Sequence, residues 1–185
     1  TIKIVEKVLI TFNNQIVKAF IDQKCSAEGI SSKHKNIILV EKENKNLGYV
    51  GIPKNIEVSI LKKIIIENKV PIIAPLGLDN NKQVYNINAD TAASAIAKTL
   101  KARRLLMVSD VEGVLDKNNQ LITEINSNTA KSLIEDKVIS GGMIPKVKNC
   151  IDVAKNGVKG VVIINGRKPH SILFELLSDK GSGTL

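Results

Sequence analysis

The sequence predicts an α/β protein in which helices cover both faces of a mostly parallel, open sheet, giving three αβα layers. Continuous apolar runs of four residues, such as 37–40 and 161–164, are typical of strands buried on both faces. The segments between such runs carry apolar residues at steps of three and four, which is typical of amphipathic helices. In sheets of this class ligands bind beyond the carboxyl ends of the strands, so function is expected in the segments that follow them.

Predicted helices and strands alternate along the chain. Val5, Phe12 and Phe20, for example, fall on one face of the first helix. In chain order the patterns predict helix 2–21, strand 37–40, helix 56–68, strand 71–74, helix 89–102, strand 105–108, a hairpin-like stretch 113–122, helix 128–136, helix 145–156, strand 161–164 and helix 171–177. Gly157 is placed to stop the helix before it. A seam near 76–81 would divide the chain into lobes 1–77 and 78–185.

Composition narrows the class of protein. Of the 185 residues, 43% are apolar and 24% are charged, which suffices for a core and excludes wholesale disorder. No uncharged apolar run approaches the roughly 18 residues of a membrane-spanning helix, and two cysteines favour a reducing compartment over a disulfide framework. The net charge of +9 comes from scattered lysines, which favours a lysine-rich surface over a nucleic-acid-binding stripe. We expect a cytoplasmic or plastid protein with no membrane or nucleic-acid partner.

Polar residues gather at two predicted junctions between a strand and the segment after it. Asn86, Asn88 and Asp90 stand at the entry to helix 89–102, where Asn88 is placed to cap the helix. Capping and balancing of the helix dipole would explain Asn88 and Asp90 without a ligand. Asp110 follows strand 105–108 and Gly113 permits a close approach, although a Ser-Asp turn explains the same residues. Both junctions are therefore candidate ligand sites with a structural alternative.

Residues 140–146 read Ser-Gly-Gly-Met-Ile-Pro-Lys at the start of a predicted helix. Paired glycines let backbone N–H groups converge on an anion, and the helix N-terminus adds positive potential. Pro145 suits the first helical turn, and Lys146 follows it as a point charge that can neutralise phosphate. Phosphate binding is therefore favoured over a plain turn.

The three junctions together predict phosphoryl transfer, which depends on positioning and charge neutralisation more than on covalent help. Lys146 would meet negative charge that develops on the transferred group, Asp90 would orient lysines and polar donors, and Asn86 would hold the acceptor. The sequence contains no Walker-type phosphate loop, no dinucleotide-binding glycine pattern and no Cys-x-x-Cys. His34 and His170 lack a metal-ligand spacing, so no protein metal site is expected.

At these residues the sequence resembles the acetylglutamate kinases of the amino-acid kinase family. The stretches that carry the resemblance are KNLGYVG (45–51), PIIAPLG (71–77), YNINADTAASAIA (85–97), SDVEGVL (109–115), ISGGMIPKV (139–147), INGRKPH (164–170) and LFELLSDKGSGTL (173–185). They run through the whole chain, and the pair NINAD and SGGMIPK is specific. The resemblance implies the amino-acid kinase fold with its N-terminal part missing, because the chain is similar to roughly the C-terminal two thirds of a member.

The resemblance also implies an activity and its residues. ATP with Mg²⁺ would phosphorylate the γ-carboxylate of N-acetyl-L-glutamate, the second step of arginine biosynthesis, with magnesium carried mainly by the nucleotide phosphates. Residues 1–77 would be the remainder of an acyl-amino-acid-binding lobe, and 78–185 a nucleotide-binding lobe. Asp90 and Lys146 would be catalytic, and Asn86 and Asn88 would bind the substrate.

The remaining implied sites concern the nucleotide and an effector. The residues implied to line the nucleotide site are Asp110, Val111, Glu112, Gly113, Val114, Leu115, Val138, Ile139, Ser140, Gly141, Gly142, Met143, Ile144, Pro145 and Lys146. The closing segment resembles that of arginine-inhibited members, which implies an arginine site containing His170, Glu175, Gly181 and Gly183. A homo-oligomer, either a dimer or a hexamer, is also implied.

Two alternatives stay open at this point. An acetylaminoadipate kinase of lysine synthesis is the closest competitor, and a non-catalytic nucleotide- or arginine-binding relative would fit a chain without the family's first strand and its Lys-x-Gly-Gly. Residues 29–35 also depart from a segment that is usually rich in Gly and Asp. Because loss of the first strands of a parallel sheet exposes paired edges and core, we expect the 185 residues alone to be inactive and poorly folded.

Overall fold

The chain divides into two compact units, Thr1–Thr99 and Leu100–Leu185. The structure is a computed structural model that describes residues 1–178 and 183–184. The boundary falls later than the predicted seam after residue 77, because the strands that follow residue 75 pair within the first unit. The assignment of lobes 1–77 and 78–185 to substrate and nucleotide stays a prediction.

The first unit combines helices with two sheets. Its helices are α1 (Ile2–Asp22), α2 (Val58–Ile66) and α3 (Ala89–Leu100), the last of which ends at the boundary. Its strands are β1 (Ala27–Ile30), β2 (Ile38–Lys42), β3 (Gly51–Ile56), β4 (Val70–Ile73), β5 (Leu76–Leu78) and β6 (Val84–Asn86). A 3₁₀ turn, Lys45–Leu47, joins β2 to β3. β1 and β4 pair in parallel, and the second sheet has the order β3-β2-β5-β6, with a parallel pair at its centre and antiparallel pairs outside it.

A buried asparagine fixes α1 on the strands of the first unit. α1 packs against β1, β4 and β6. Asn13 is only 4% exposed, and its Nδ2 donates a hydrogen bond to the carbonyl oxygen of Ile72 at 2.8 Å. Gly29 on β1 leaves room for this side chain, since a Cβ at Gly29 would lie 2.5 Å from Asn13 Oδ1. The apolar periodicity of α1 thus predicts the helix but not its buried face, since Glu6 and Asn13 are buried while Val5 and Phe12 are exposed.

The second unit is built on one parallel strand pair. β7 (Arg104–Ser109) and β8 (Gly160–Asn165) pair along their whole length, from Arg104 opposite Gly160 to Ser109 opposite Asn165. The helices of this unit are α4 (Ser127–Glu135), α5 (Met143–Lys155) and α6 (Ser171–Leu177). Buried apolar side chains from these elements form one core: Met107, Val114, Ala130, Ile139, Val147 and Ile163. Parallel pairing thus recurs in both units, as the apolar runs predict.

Thr184 joins three segments of the second unit. It forms an antiparallel bridge with Ile163 on β8 and is itself buried. Its Oγ1 accepts a hydrogen bond from the Val114 N–H at 2.9 Å and donates one to the Ile122 carbonyl at 2.6 Å. These partners belong to the hairpin-like stretch, where Leu115 and Leu121 form an isolated antiparallel bridge. The predicted hairpin is thus confirmed as a short one, held to β8 through Thr184.

The predicted helices are all present, with ends that shift by no more than two residues. β1, β3, β5 and β6 were not among the predicted strands, since none contains a run of four apolar residues. None of the helices in the described part of the chain is both long and apolar enough to cross a bilayer.

The Asn13 hydrogen bond predicts a stability difference between two neighbouring asparagines. Asn13→Ala leaves the half-buried Ile72 carbonyl without this donor, whereas the side chain of Asn14 is exposed. Both substitutions change helix propensity equally, so their difference isolates the buried contact. We expect Asn13→Ala to be less stable than Asn14→Ala by about 1–3 kcal/mol in urea unfolding. Equal midpoints and slopes for the two variants would contradict this account of α1.

Candidate functional site

The carboxyl end of β6 places Asn86, Asn88 and Asp90 at the start of α3. Asn86 ends the strand, and its N–H donates to the Tyr49 carbonyl at 2.9 Å. The Asn88 side chain accepts a hydrogen bond from the Thr91 N–H at 3.1 Å, so its predicted role as a helix cap is confirmed. Asp90 lies in the first turn of α3 and is half-buried. The roles of these residues toward a substrate stay predictions.

The loop before β3 is a neighbour of this junction that sequence reasoning did not assign. Val50 forms an isolated parallel bridge with Asn86, and the Tyr49 ring lies 5.9 Å from that of Tyr85, centroid to centroid. Gly51 permits this approach, since a Cβ there would lie 2.9 Å from Tyr85 Cβ. The available signal was the stretch KNLGYVG, which carries the family resemblance but was not assigned to a site.

Tyr85 is the titratable group of this region whose pKa its surroundings shift most clearly. The residue is 7% exposed. Burial raises the pKa of its phenol, and the negative charge of Asp79 raises it further. The ring therefore stays protonated through the physiological range and can act only as a neutral hydrogen-bonding group.

In the second unit, the ends of β7 and β8 bring Asp110 and Glu112 against Arg167, which follows β8, and Asn165, which ends it. Arg167 Nη2 lies 3.3 Å from Asp110 Oδ2, and Asn165 Nδ2 donates to Glu112 Oε1 at 3.0 Å. Sequence reasoning selected both acidic residues but neither Asn165 nor Arg167. The stretch INGRKPH after the last predicted strand was the signal that could have found them.

The glycine-rich turn before α5 has the expected position, with Gly142 as the N-cap and Gly141 in the left-handed region at φ 55°. The N–H groups of Met143 and Ile144 donate to the carbonyls of Ser140 and Gly141 at 3.2 and 3.3 Å. Pro145 has no N–H. An anion at this turn would therefore rely on the amides of the two glycines and on Lys146, which is half-buried in the first turns of α5.

Some residues of the implied nucleotide set belong to the hydrophobic core. Val114 and Ile139 are each 2% exposed, and Met143 and Ile144 pack partly against the same cluster. The Val114 N–H is moreover engaged by Thr184. Val111 is exposed, while Leu115 and Val138 are half-buried. The structure thus assigns packing to several members of this set, and their contact with a nucleotide stays a prediction.

A cavity of about 500 Å³ lies within the second unit but is lined by a different set of residues. Mostly apolar side chains of α4, α5 and β8 surround it, among them Ala130, Cys150 and Val161. Within the described residues, Val114 is the one member of the implied nucleotide set that lines this cavity. The cavity is therefore not where the sequence predicts nucleotide binding.

The residues of the implied arginine site lie on or beside α6 and β8. His170 precedes α6 in the left-handed region at φ 60°. Glu175 is buried on α6, and its carbonyl oxygen accepts a hydrogen bond from Arg104 Nη1 at 3.1 Å. Gly183 lies so close to the Ile163 carbonyl that no side chain would fit. Gly181 lies outside the described residues.

The described residues hold no group of three or more His, Cys, Asp or Glu side chains that could bind a metal ion. Asp110 and Glu112 are engaged with Arg167 and Asn165 instead. A magnesium ion that arrives on nucleotide phosphates needs no such group, because Mg²⁺ is commonly held by one or two carboxylates plus phosphate oxygens.

Parallel strand pairs with polar residues at their carboxyl ends define an open-sheet α/β protein. A family model described as "Amino acid kinase family" matches residues 1–165, and the chain belongs to this family. The predicted α/β fold of the amino-acid kinases is thereby confirmed. The matched region includes the whole of the first unit and both of the implied catalytic residues.

Individual relatives agree with the resemblance. The chain is 64% identical over all 185 residues to an acetylglutamate kinase from Pelagibacter ubique, and 42% identical over 199 aligned residues to one from Rhodopseudomonas palustris. It covers 64% and 67% of these proteins, so it spans about two thirds of their length. Among solved structures, N-acetylglutamate synthase from Neisseria gonorrhoeae, complexed with coenzyme A and N-acetylglutamate, matches with a TM-score of 0.83 at 19% identity. That match covers 96% of this chain and 42% of the synthase, and it shows the fold alone.

The environment of Tyr85 predicts a measurable titration. Because the folded-state pKa is raised, the protonated phenol favours folding. That contribution is fully present below the unfolded-state pKa of about 10 and is lost as the pH rises through the folded-state value. In Tyr49→Phe protein, which keeps Tyr85 as the one tyrosine of residues 1–185, the alkaline absorbance change due to Tyr85 should have a midpoint above that of the same protein in denaturant. Coincident midpoints would contradict the burial of this phenol; Tyr85→Phe protein is the matched control.

Proposed function

We propose that the full-length protein is an acetylglutamate kinase. ATP would phosphorylate the γ-carboxylate of N-acetyl-L-glutamate to N-acetylglutamyl 5-phosphate, the second step of arginine biosynthesis. The observation that carries this proposal is the 64% identity, over every residue of the chain, to a protein of that name. The two bacterial relatives named above, both acetylglutamate kinases, support a location in the cytoplasm.

The proposed reaction needs charge stabilisation more than acid–base chemistry. A carboxylate oxygen of the substrate attacks the γ-phosphorus, and the bond between that phosphorus and the β,γ-bridging oxygen breaks, so that ADP leaves. The attacking oxygen is already anionic near neutral pH, so no general base is required. Mg²⁺ bound to the phosphates would neutralise part of their charge.

The chain's own residues would then position the reactants. Lys146 supplies a positive charge toward the transferred group, and the Gly141 and Gly142 amides offer hydrogen bonds at the start of α5. Asp90 would orient the cationic groups. The Asn88 side chain is engaged in capping α3, which makes Asn86 the stronger candidate for holding the substrate. Asp90 belongs to the first unit and Lys146 to the second.

The two proposed catalytic residues give a direct test in the full-length enzyme. We expect Lys146→Met and Asp90→Asn each to lower kcat by about 10²–10³-fold, the usual cost of removing one group that stabilises or positions a transition state. Lys148→Met, which removes an exposed lysine of the same helix, serves as the matched control and should retain kcat. A coupled ADP assay with N-acetylglutamate, glutamate and acetylaminoadipate measures both the rate and the choice of acceptor. A preference for acetylaminoadipate, or full activity of both variants, would refute the proposed assignment.

Free arginine is proposed as an inhibitor of the full-length enzyme, in addition to its two substrates. His170 and Glu175 lie at the two ends of α6, and both α6 and the Gly183–Thr184 segment lie beside β8. A buried carboxylate such as that of Glu175 suits the guanidinium group, which carries several donors in a fixed plane.

A dimer or hexamer is proposed for the same protein, and light scattering would measure its molecular mass in solution.

We expect arginine to inhibit the full-length enzyme and Glu175→Gln to weaken that inhibition. The loss should be at least about tenfold in the half-inhibitory concentration, because a hydrogen bond to a charged group contributes roughly 1.5–3 kcal/mol. Glu135→Gln, at the exposed end of α4, is the control that should behave like the wild type. An unchanged rate across an arginine titration of the wild-type enzyme would remove the arginine proposal.

A further inference from the structure

We infer that Asn165 and Arg167, on the turn after β8, are positioning residues for the nucleotide. They hold the 109–113 loop, which follows β7 and carries the acidic side chains Asp110 and Glu112. The inference rests on the proposed nucleotide site, which it deepens by naming the residues that keep this loop in place. We refer to residues 165–168, which begin with the last residue of β8, as the 165–168 turn.

Three contacts join the two segments. The Gly166 N–H donates to the Ser109 carbonyl at 2.8 Å and thereby extends the strand pairing by one step. Asn165 Nδ2 donates to Glu112 Oε1 at 3.0 Å, and Arg167 Nη2 lies 3.3 Å from Asp110 Oδ2. A backbone hydrogen bond, an amide–carboxylate hydrogen bond and an ion pair thus act on the same loop.

The turn is itself ordered by Asn165, whose Oδ1 accepts a hydrogen bond from the Arg167 N–H at 2.9 Å. The amide of Asn165 therefore accepts within its own turn and donates to the neighbouring loop, and the two roles together fix which way the amide faces. A glycine is required at position 166 because the backbone there lies close to β7, where a Cβ would overlap the side chain of Val108. The sequence Asn-Gly-Arg can therefore lie against the end of β7, whereas a larger residue in place of the glycine could not.

The charges explain why this contact concerns a nucleotide. Two carboxylates on one loop would repel a triphosphate, and Arg167 offsets one of them while Asn165 gives the other a neutral donor. Acidic side chains at this edge of a sheet are suited to accept hydrogen bonds from ribose hydroxyls, provided that their orientation is held. Asp110 and Arg167 keep 69% and 75% of their side-chain surface exposed, so a ligand can reach them.

The experiment compares seven forms of the full-length enzyme: wild type, Arg167→Ala, Arg167→Lys, Asn165→Ala, Lys168→Ala, Asp110→Asn and the double variant Asp110→Asn/Arg167→Ala. Binding of a non-hydrolysable ATP analogue is measured by calorimetry, which requires no acceptor, and kcat and KM are measured for each substrate. We expect Arg167→Ala to weaken nucleotide binding by about three- to fivefold, as befits the loss of one exposed ion pair. The thermal midpoint, kcat and the KM for the acceptor should not change. Arg167→Lys should recover part of the affinity.

Lys168→Ala is the matched control, because it removes the same charge from the next residue. If Lys168→Ala weakens binding as much as Arg167→Ala, the effect comes from the loss of any positive charge rather than from the contact with Asp110, and the inference is wrong. It is equally wrong if Arg167→Ala binds like the wild type or loses kcat at constant nucleotide KM. Adding Arg167→Ala to Asp110→Asn should weaken binding little further, because both changes break the same contact; full additivity would overturn the inference.

These outcomes separate the inference from the proposed function. Wild-type protein that binds the nucleotide but phosphorylates none of the acceptors would refute the kinase proposal, while the binding comparison would still decide the role of Arg167. Wild-type protein that binds no nucleotide would overturn both.

Discussion

The parallel, in-register pairing of β7 with β8 is the constraint on which the polar edge of the second unit depends. Because Ser109 stands opposite Asn165, the two strands end at the same level and their following segments emerge side by side. Residues more than fifty positions apart in the chain can then pair as Asp110 does with Arg167 and Glu112 does with Asn165. An antiparallel arrangement would send one of the two segments to the opposite edge.

Buried polar side chains specify arrangement where apolar packing alone would permit several. Asn13 ties α1 to one carbonyl of β4, and Thr184 ties the hairpin to β8 through one accepted and one donated hydrogen bond. Apolar contact is non-directional, whereas an unsatisfied buried donor or acceptor costs free energy. Each unit therefore combines an apolar core with a buried polar contact that is satisfied in only one arrangement of its partners.

Local pattern was sufficient for the helices and for β7 and β8, because helical periodicity and continuous apolar runs are properties of neighbouring residues. The Asn88 cap was likewise visible in the sequence, since a cap acts within three residues. β3, with Pro53 in its centre, and the three-residue strands β5 and β6 were not visible. They exist through backbone pairing with strands elsewhere in the chain. The Asp110–Arg167 pair was hidden for the same reason: two charges far apart in sequence carry no local sign that they meet.

The position of Thr184 also bears on the order in which the protein forms during synthesis. The residues of the first unit precede those of the second, so its strand pairs can close first. The hydrogen bond between Val114 and Thr184 joins residues 70 positions apart, so it can form only after β8 has been synthesised. Because closing contacts over such separations is slow, we expect the hairpin to become fixed to β8 late in folding.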